Sequence, residues 1–93
     1  MPEENVFSLR AHFSGRVQGV GFRYKVLQIA REFDVAGYVQ NLADGRVRME
    51  AEGAEKEVRA FFDRAQEVLN VFIRKTEEAT ERRPPTFSGF EIR

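Results

Sequence analysis

Residues 15 to 23 read Gly-Arg-Val-Gln-Gly-Val-Gly-Phe-Arg, with three glycines in seven positions and an arginine at the end. Glycine tolerates positive φ and close approach of a ligand, so successive backbone N–H groups can turn toward one centre. A helix starting at the end of such a loop adds partial positive charge at its N-terminus. Arg23 contributes a permanently charged fork that matches phosphate oxygens. Together these residues describe a cradle for a phosphate-sized anion. A tight strand-to-helix connection with no ligand would use glycines in the same way. Nucleotide versions fit poorly: Walker A needs Gly-Lys followed by Ser or Thr, and the dinucleotide spacing is also absent.

The elements that must position this loop can be read from apolar periodicity. Phe7, Leu9, Ala11 and Phe13 alternate with Ser8, Arg10, His12 and Ser14, as in a half-buried strand. After the loop, Phe22, Val26, Ile29, Ala30 and Phe33 share one helix face, and Asp34 closes that helix. Val35 to Asn41 is extended, and Asp44-Gly45 is a hairpin-turn dipeptide. Val47, Met49 and Ala51 alternate with Arg46, Arg48, Glu50 and Glu52 in another strand, which Gly53 ends. Val58, Phe61, Phe62, Ala65 and Leu69 mark a second amphipathic helix. Val71 to about Glu78 reads as a fourth strand, Arg82-Arg83-Pro84-Pro85 as a loop, and Phe87 to Ile92 as a short last strand.

This order predicts an α+β fold of the ferredoxin-like split β-α-β type. Two helices cover one face of a mainly antiparallel sheet of four to five strands. Residues 1–93 form one domain in this reading, with 1–6 as a flexible N-terminal tail. The third strand lies between the first two and antiparallel to both. The first two strands then run parallel, and their C-terminal ends share one edge. The topology therefore predicts that Arg23 meets Asn41, the residue that closes the second strand. From its setting alone, Asn41 suits satisfaction of turn backbone before Asp44-Gly45 at least as well as chemistry.

A site holding backbone N–H groups, one guanidinium and one carboxamide offers no general acid, base or nucleophile. Hydrolysis of a carboxylic–phosphoric anhydride needs none, since the leaving carboxylate has an acid pKa of roughly 4 to 5 by analogy with side-chain carboxyls. Phosphoryl transfer asks mainly for positioning and charge stabilisation.

The segment Gly15 to Arg23 resembles the signature of the acylphosphatase family. A second similar stretch runs Gly37-Tyr38-Val39-Gln40-Asn41-Leu42-Ala43-Asp44-Gly45-Arg46-Val47, in matching register. The similarity extends from about Phe7 to Gly53. The resemblance implies a metal-independent and cofactor-free hydrolase of acyl phosphates. Arg23 and Asn41 would be catalytic, Asn41 orienting the water. Gly15, Arg16, Val17, Gln18, Gly19, Val20, Gly21, Phe22 and Arg23 would bind phosphate, with inorganic phosphate as product or inhibitor. Many family members carry Trp at the position of Tyr38, and a Gly-Pro-Pro-like turn where Glu67-Val68-Leu69-Asn70 stands here.

Composition narrows the alternatives. Fifteen basic residues balance fifteen acidic ones, which disfavours a nucleic-acid coat. The polar strand phases carry charged residues in place of exposed aromatics, so base stacking is not expected. The chain has no cysteine, which excludes disulfides and thiolate chemistry and fits a reducing compartment. Glu3 and Glu4 replace a basic leader, and no long apolar run appears, so a cytoplasmic monomer without membrane attachment is expected. His12 lies on a polar strand phase and is assigned a solvated or cross-strand role. Arg74, Lys75, Arg82 and Arg83, interleaved with Glu77, Glu78 and Glu81, read as a mixed solvated surface.

Overall fold

A computed structural model describes residues 5–93. In chain order the elements are β1 (Val6–Gly15), α1 (Phe22–Ala30), β2 (Val35–Asn41), β3 (Val47–Gly53), α2 (Glu55–Val68), a 3₁₀ turn (Asn70–Phe72), β4 (Ile73–Arg83) and β5 (Phe90–Ile92). Of the expected N-terminal tail, residues 1–4 lie outside the described residues, and Val6 already pairs with Arg83.

The strands form one sheet in the order β4-β1-β3-β2-β5. β3 pairs antiparallel with both β1 and β2, and β5 adds to β2 in parallel. Register carries the period-two pattern straight across the sheet: Leu9 faces Ala51, Ala11 faces Met49 and Phe13 faces Val47. All six are fully buried, and they meet Val26 of α1 and Val58 and Phe61 of α2. Burying each Leu-, Val- or Phe-sized side chain contributes about 1.5–3 kcal/mol, so this single layer dominates stability. The ferredoxin-like α+β fold expected from element order is the one observed.

Three boundaries differ from the periodicity reading. The first helix stops at Ala30, where turns of the type Glu32 N–H to Ile29 O replace the α ladder, although Phe33 still packs on Phe61. The fourth strand starts at Ile73, after the 3₁₀ turn, and runs through Arg83, so Arg82 and Arg83 are strand and not loop. The last strand begins at Phe90. β4 is an edge strand of almost wholly polar residues, so only its pairing with β1 marks its extent.

β4 and β5 occupy opposite edges, so the segment 84–89 must cross the sheet. It passes over the face away from the helices. There the N–H groups of Thr86 and Phe87 donate to the Glu52 carboxylate, each at 2.8 Å. Arg83 pairs with Glu50 at 2.7 Å and Glu52 at 3.2 Å and donates to Ser8 Oγ at 2.9 Å. The Phe87 ring stands edge-on to Tyr38 at 5.7 Å. Ser8, Glu50 and Glu52 are thereby buried, and Arg83 belongs to an enclosed ionic network and not to the expected solvated surface.

Candidate active site

The loop between β1 and α1 turns because Gly19 and Gly21 take φ of 78° and 76°. A Cβ at either would meet nothing within 4 Å, so glycine is required there for backbone conformation and not for space. The Gly21 carbonyl accepts from Lys25 N–H at 3.0 Å and opens α1 with no side-chain cap and no acidic residue in the first turn. The positive end of that helix is therefore uncompensated by the protein. Among the described residues, the N–H groups of residues 17–22 donate to no backbone or side-chain acceptor.

Arg23 sits in the first turn of α1, half-buried, and its Nη1 donates to the Arg93 carbonyl at 3.2 Å. Arg93 N–H in turn donates to Val39 O at 2.9 Å, which ties this contact to β2. Asn41 ends β2, and its Oδ1 is buried with no hydrogen-bond partner. A buried acceptor left unpaired is uncommon and marks a place where a ligand or water completes the bonding. Val17, Gly19, Gly21, Phe22, Arg23, Tyr24, Asn41 and Ile92 line one cavity of about 170 Å³. The meeting of Arg23 and Asn41 deduced from strand order is thus realised.

The nine loop residues divide. Val17, Gly19, Gly21, Phe22 and Arg23 line the cavity, with the Val17 and Phe22 side chains buried as its floor. Gly15 pairs with Ile73, and a Cβ on it would come within 2.5 Å of Phe72 O. Arg16 N–H donates to that same carbonyl at 2.9 Å, so both residues are tied to the turn that leads into β4. The Gln18 side chain donates to Leu42 O at 2.8 Å and Arg46 O at 3.0 Å, fastening the loop to the turn after Asn41. Val20 packs against the core. Tyr24 and Ile92 were not foreseen. Tyr24 could have been found from its place beside Arg23 on the helix, whereas Ile92 arrives only through the parallel pairing of β5.

His12 faces Arg48 across β1 and β3, and its Nε2 accepts from Arg48 Nε at 3.3 Å. Burial first, then the charges of Arg46, Arg48 and Arg10, hold its pKa below the usual imidazole value, against a weaker opposing pull from Glu77. The cross-strand role expected for it is the one it has. Among the described residues, no group of three or more His, Asp or Glu is placed to hold a metal ion, and no helix is long and apolar enough to cross a membrane.

Comparison with known proteins agrees with this geometry. The family model described as Acylphosphatase matches residues 9–92, well beyond the Gly53 limit of the motif resemblance. An acylphosphatase from Archaeoglobus fulgidus is 52% identical over 50 residues, covering 54% of this chain and 56% of that protein, little over half its length. One from Oceanobacillus iheyensis is 41% identical over 66 residues, covering 71% of this chain and 72% of the relative. The crystal structure of the acylphosphatase from Bacillus subtilis superposes with a TM-score of 0.82 at 32% identity, over 92% of this chain and 97% of that one.

Proposed function

The chain belongs to the acylphosphatase family, hydrolases acting on acyl phosphates, and we propose that Arg23 and Asn41 carry out that hydrolysis here. The phosphoryl group sits on the N–H groups that follow Arg16, with the guanidinium of Arg23 on its oxygens. Asn41 Oδ1 accepts a hydrogen bond from a water and aims it in line. The water oxygen forms the new P–O bond as the bond to the carboxyl oxygen breaks, and the electron pair leaves with the carboxylate. The water's proton passes to a phosphate oxygen. Charge on the equatorial oxygens is met by donors already in place, which is where such a site gains its rate.

One observation carries this reading: the unpaired buried acceptor of Asn41 lines the same cavity as the guanidinium of Arg23. Residues 1–93 act in this account as a single, monomeric, cytoplasmic domain with inorganic phosphate as a competing product. Absence of cysteine is consistent with a reducing compartment. The test is release of phosphate from benzoyl phosphate in excess EDTA. Turnover under those conditions is expected. If phosphate protects the protein against thermal unfolding but no turnover exceeds background, the cradle is an anion sensor and the catalytic roles fall.

A further inference from the structure

The cavity at Arg23 has a larger neighbour of about 520 Å³ between α1 and β5, and Ile92 lines both. Leu27, Phe33, Val35 and Phe90 supply the apolar wall of this groove, and Arg31 and Glu91 line it as well. Its placement follows from two periodicities. On α1, Leu27 lies about one turn beyond Arg23, and Arg31, the C-cap that follows the helix, about one turn further. On β5, Phe90 pairs with Gly37 and Ile92 with Val39, so both apolar residues alternate onto the sheet face of buried Val39. The proposed phosphate ligand thus stands at the head of a hydrophobic trough. Tyr24 and Ile92 are 58% and 38% exposed, two of the four large apolar side chains left exposed among the described residues, and both line the cavity at Arg23.

We propose that this trough is the acyl subsite, and that the preferred substrates are phosphates of unbranched apolar carboxylic acids of medium length. The proposal rests on the acyl-phosphate reading above. The occupant follows from connectivity: the acyl group is bonded to the phosphate in the cradle and must leave it by the mouth that Tyr24 and Ile92 border. From Arg23 to Arg31 the helix advances about 12 Å at 1.5 Å per residue. An extended chain gains about 1.2 Å per bond, so about ten bonds fit, or roughly an octanoyl group with its link to phosphorus. A short polar acyl group gains nothing from the trough. Each methylene half-withdrawn from water contributes about twofold, so octanoyl phosphate, six methylenes longer, should exceed acetyl phosphate by about sixtyfold in kcat/KM. The gain should appear in KM, because the chain makes the same contacts before and during reaction.

The test is kcat/KM for acetyl, butyryl, hexanoyl and octanoyl phosphate with the full chain, together with inhibition by octanoate and by acetate. The expected result is a rise along the series and tighter inhibition by octanoate. Leu27→Gln and, separately, Ile92→Gln should each bring the octanoyl-to-acetyl ratio down to within about threefold of one. The two variants lie on different elements, so misfolding of one leaves the other informative. A flat series with acetyl phosphate still hydrolysed would overturn the trough and leave the hydrolase reading standing. So would a rising series that neither variant alters. Failure to hydrolyse any of the four acyl phosphates would remove the hydrolase reading and the trough with it.

Discussion

Replacing Asn41 by Ala separates catalysis from stability in a way the geometry makes quantitative. Asn41 Oδ1 is desolvated and unpaired in the protein, and an acceptor in that state costs about 1–3 kcal/mol. The backbone of Asn41 stays paired with Val47 whatever its side chain, so truncation leaves the β2–β3 ladder intact. Removing the amide relieves the desolvation penalty and sacrifices packing of about 1 kcal/mol, a net change between zero and about 2 kcal/mol in favour of the variant. In a domain of this size each 1 kcal/mol moves Tm by about 4–8 °C, so Tm should hold or rise. The rate should move the other way, since one positioned polar group contributes roughly 10²–10³ in kcat. Phosphate affinity should stay within about twofold, because Arg23 and the loop N–H groups are untouched. Turnover of benzoyl phosphate, competitive inhibition by inorganic phosphate and a thermal melt on one preparation read all three quantities. A Tm loss of 5 °C or more with normal kcat, by the same scale about 1 kcal/mol, would make Asn41 a turn-satisfying residue and refute the reasoning. Loss of phosphate affinity equal to the loss of turnover would refute it as well.

Arg23→Gln should lower phosphate affinity and turnover together, each by about tenfold to a hundredfold or more, because one charge-assisted donor serves both; inhibition constants against kcat decide it. Glu52→Ala should cost about 3–5 kcal/mol, since Glu52 is 3% exposed and receives Arg83 and two backbone N–H groups, and a denaturant melt reads the loss directly. The folded state holds His12 below its unfolded pKa, so the stability from its neutral form is complete above pH 6.5 and declines as acid carries the protein down through the folded value. His12→Gln should flatten that slope in melts between pH 7 and 5. Turnover should meanwhile vary little between pH 6 and 9, because among the described residues no carboxyl or imidazole lines the cavity of Arg23 and Asn41; a steep limb near 6 to 7 would bring His12 into the chemistry.

Much of the fold was legible because its core strands turn apolar side chains to one face and polar ones to the other. Phe7 to Phe13 and Val47 to Ala51 alternate in the chain just as they do in space, and each paired strand repeats the pattern of its neighbour. Asp44-Gly45 and the glycines before Phe22 mark the turns for backbone reasons that are local. The Arg23–Asn41 meeting was legible too, since strand order alone brings the two ends together. The crossing over the sheet was not. Glu50, Glu52 and Ser8 occupy the polar phase, and nothing nearby in the chain distinguishes a polar face left to water from one covered by residues 84–89. Arg83 likewise looks like a surface charge until Glu50 and Glu52, more than thirty positions away, are placed beneath it.

By itself, then, the sequence determined the element types, the helix-covered face, the glycine loop before α1 and the residue opposite it. These depend on backbone preference and on the burial phase of single segments, and both are written locally. Only the tertiary structure decided that β4 continues through Arg83, that the ionic network is enclosed, and that Ile92 lines both the cavity at Arg23 and the larger one along α1. Each of those depends on which distant segment pairs with an edge strand. An edge strand has one ladder and no buried face of its own, so its period does not record its partner.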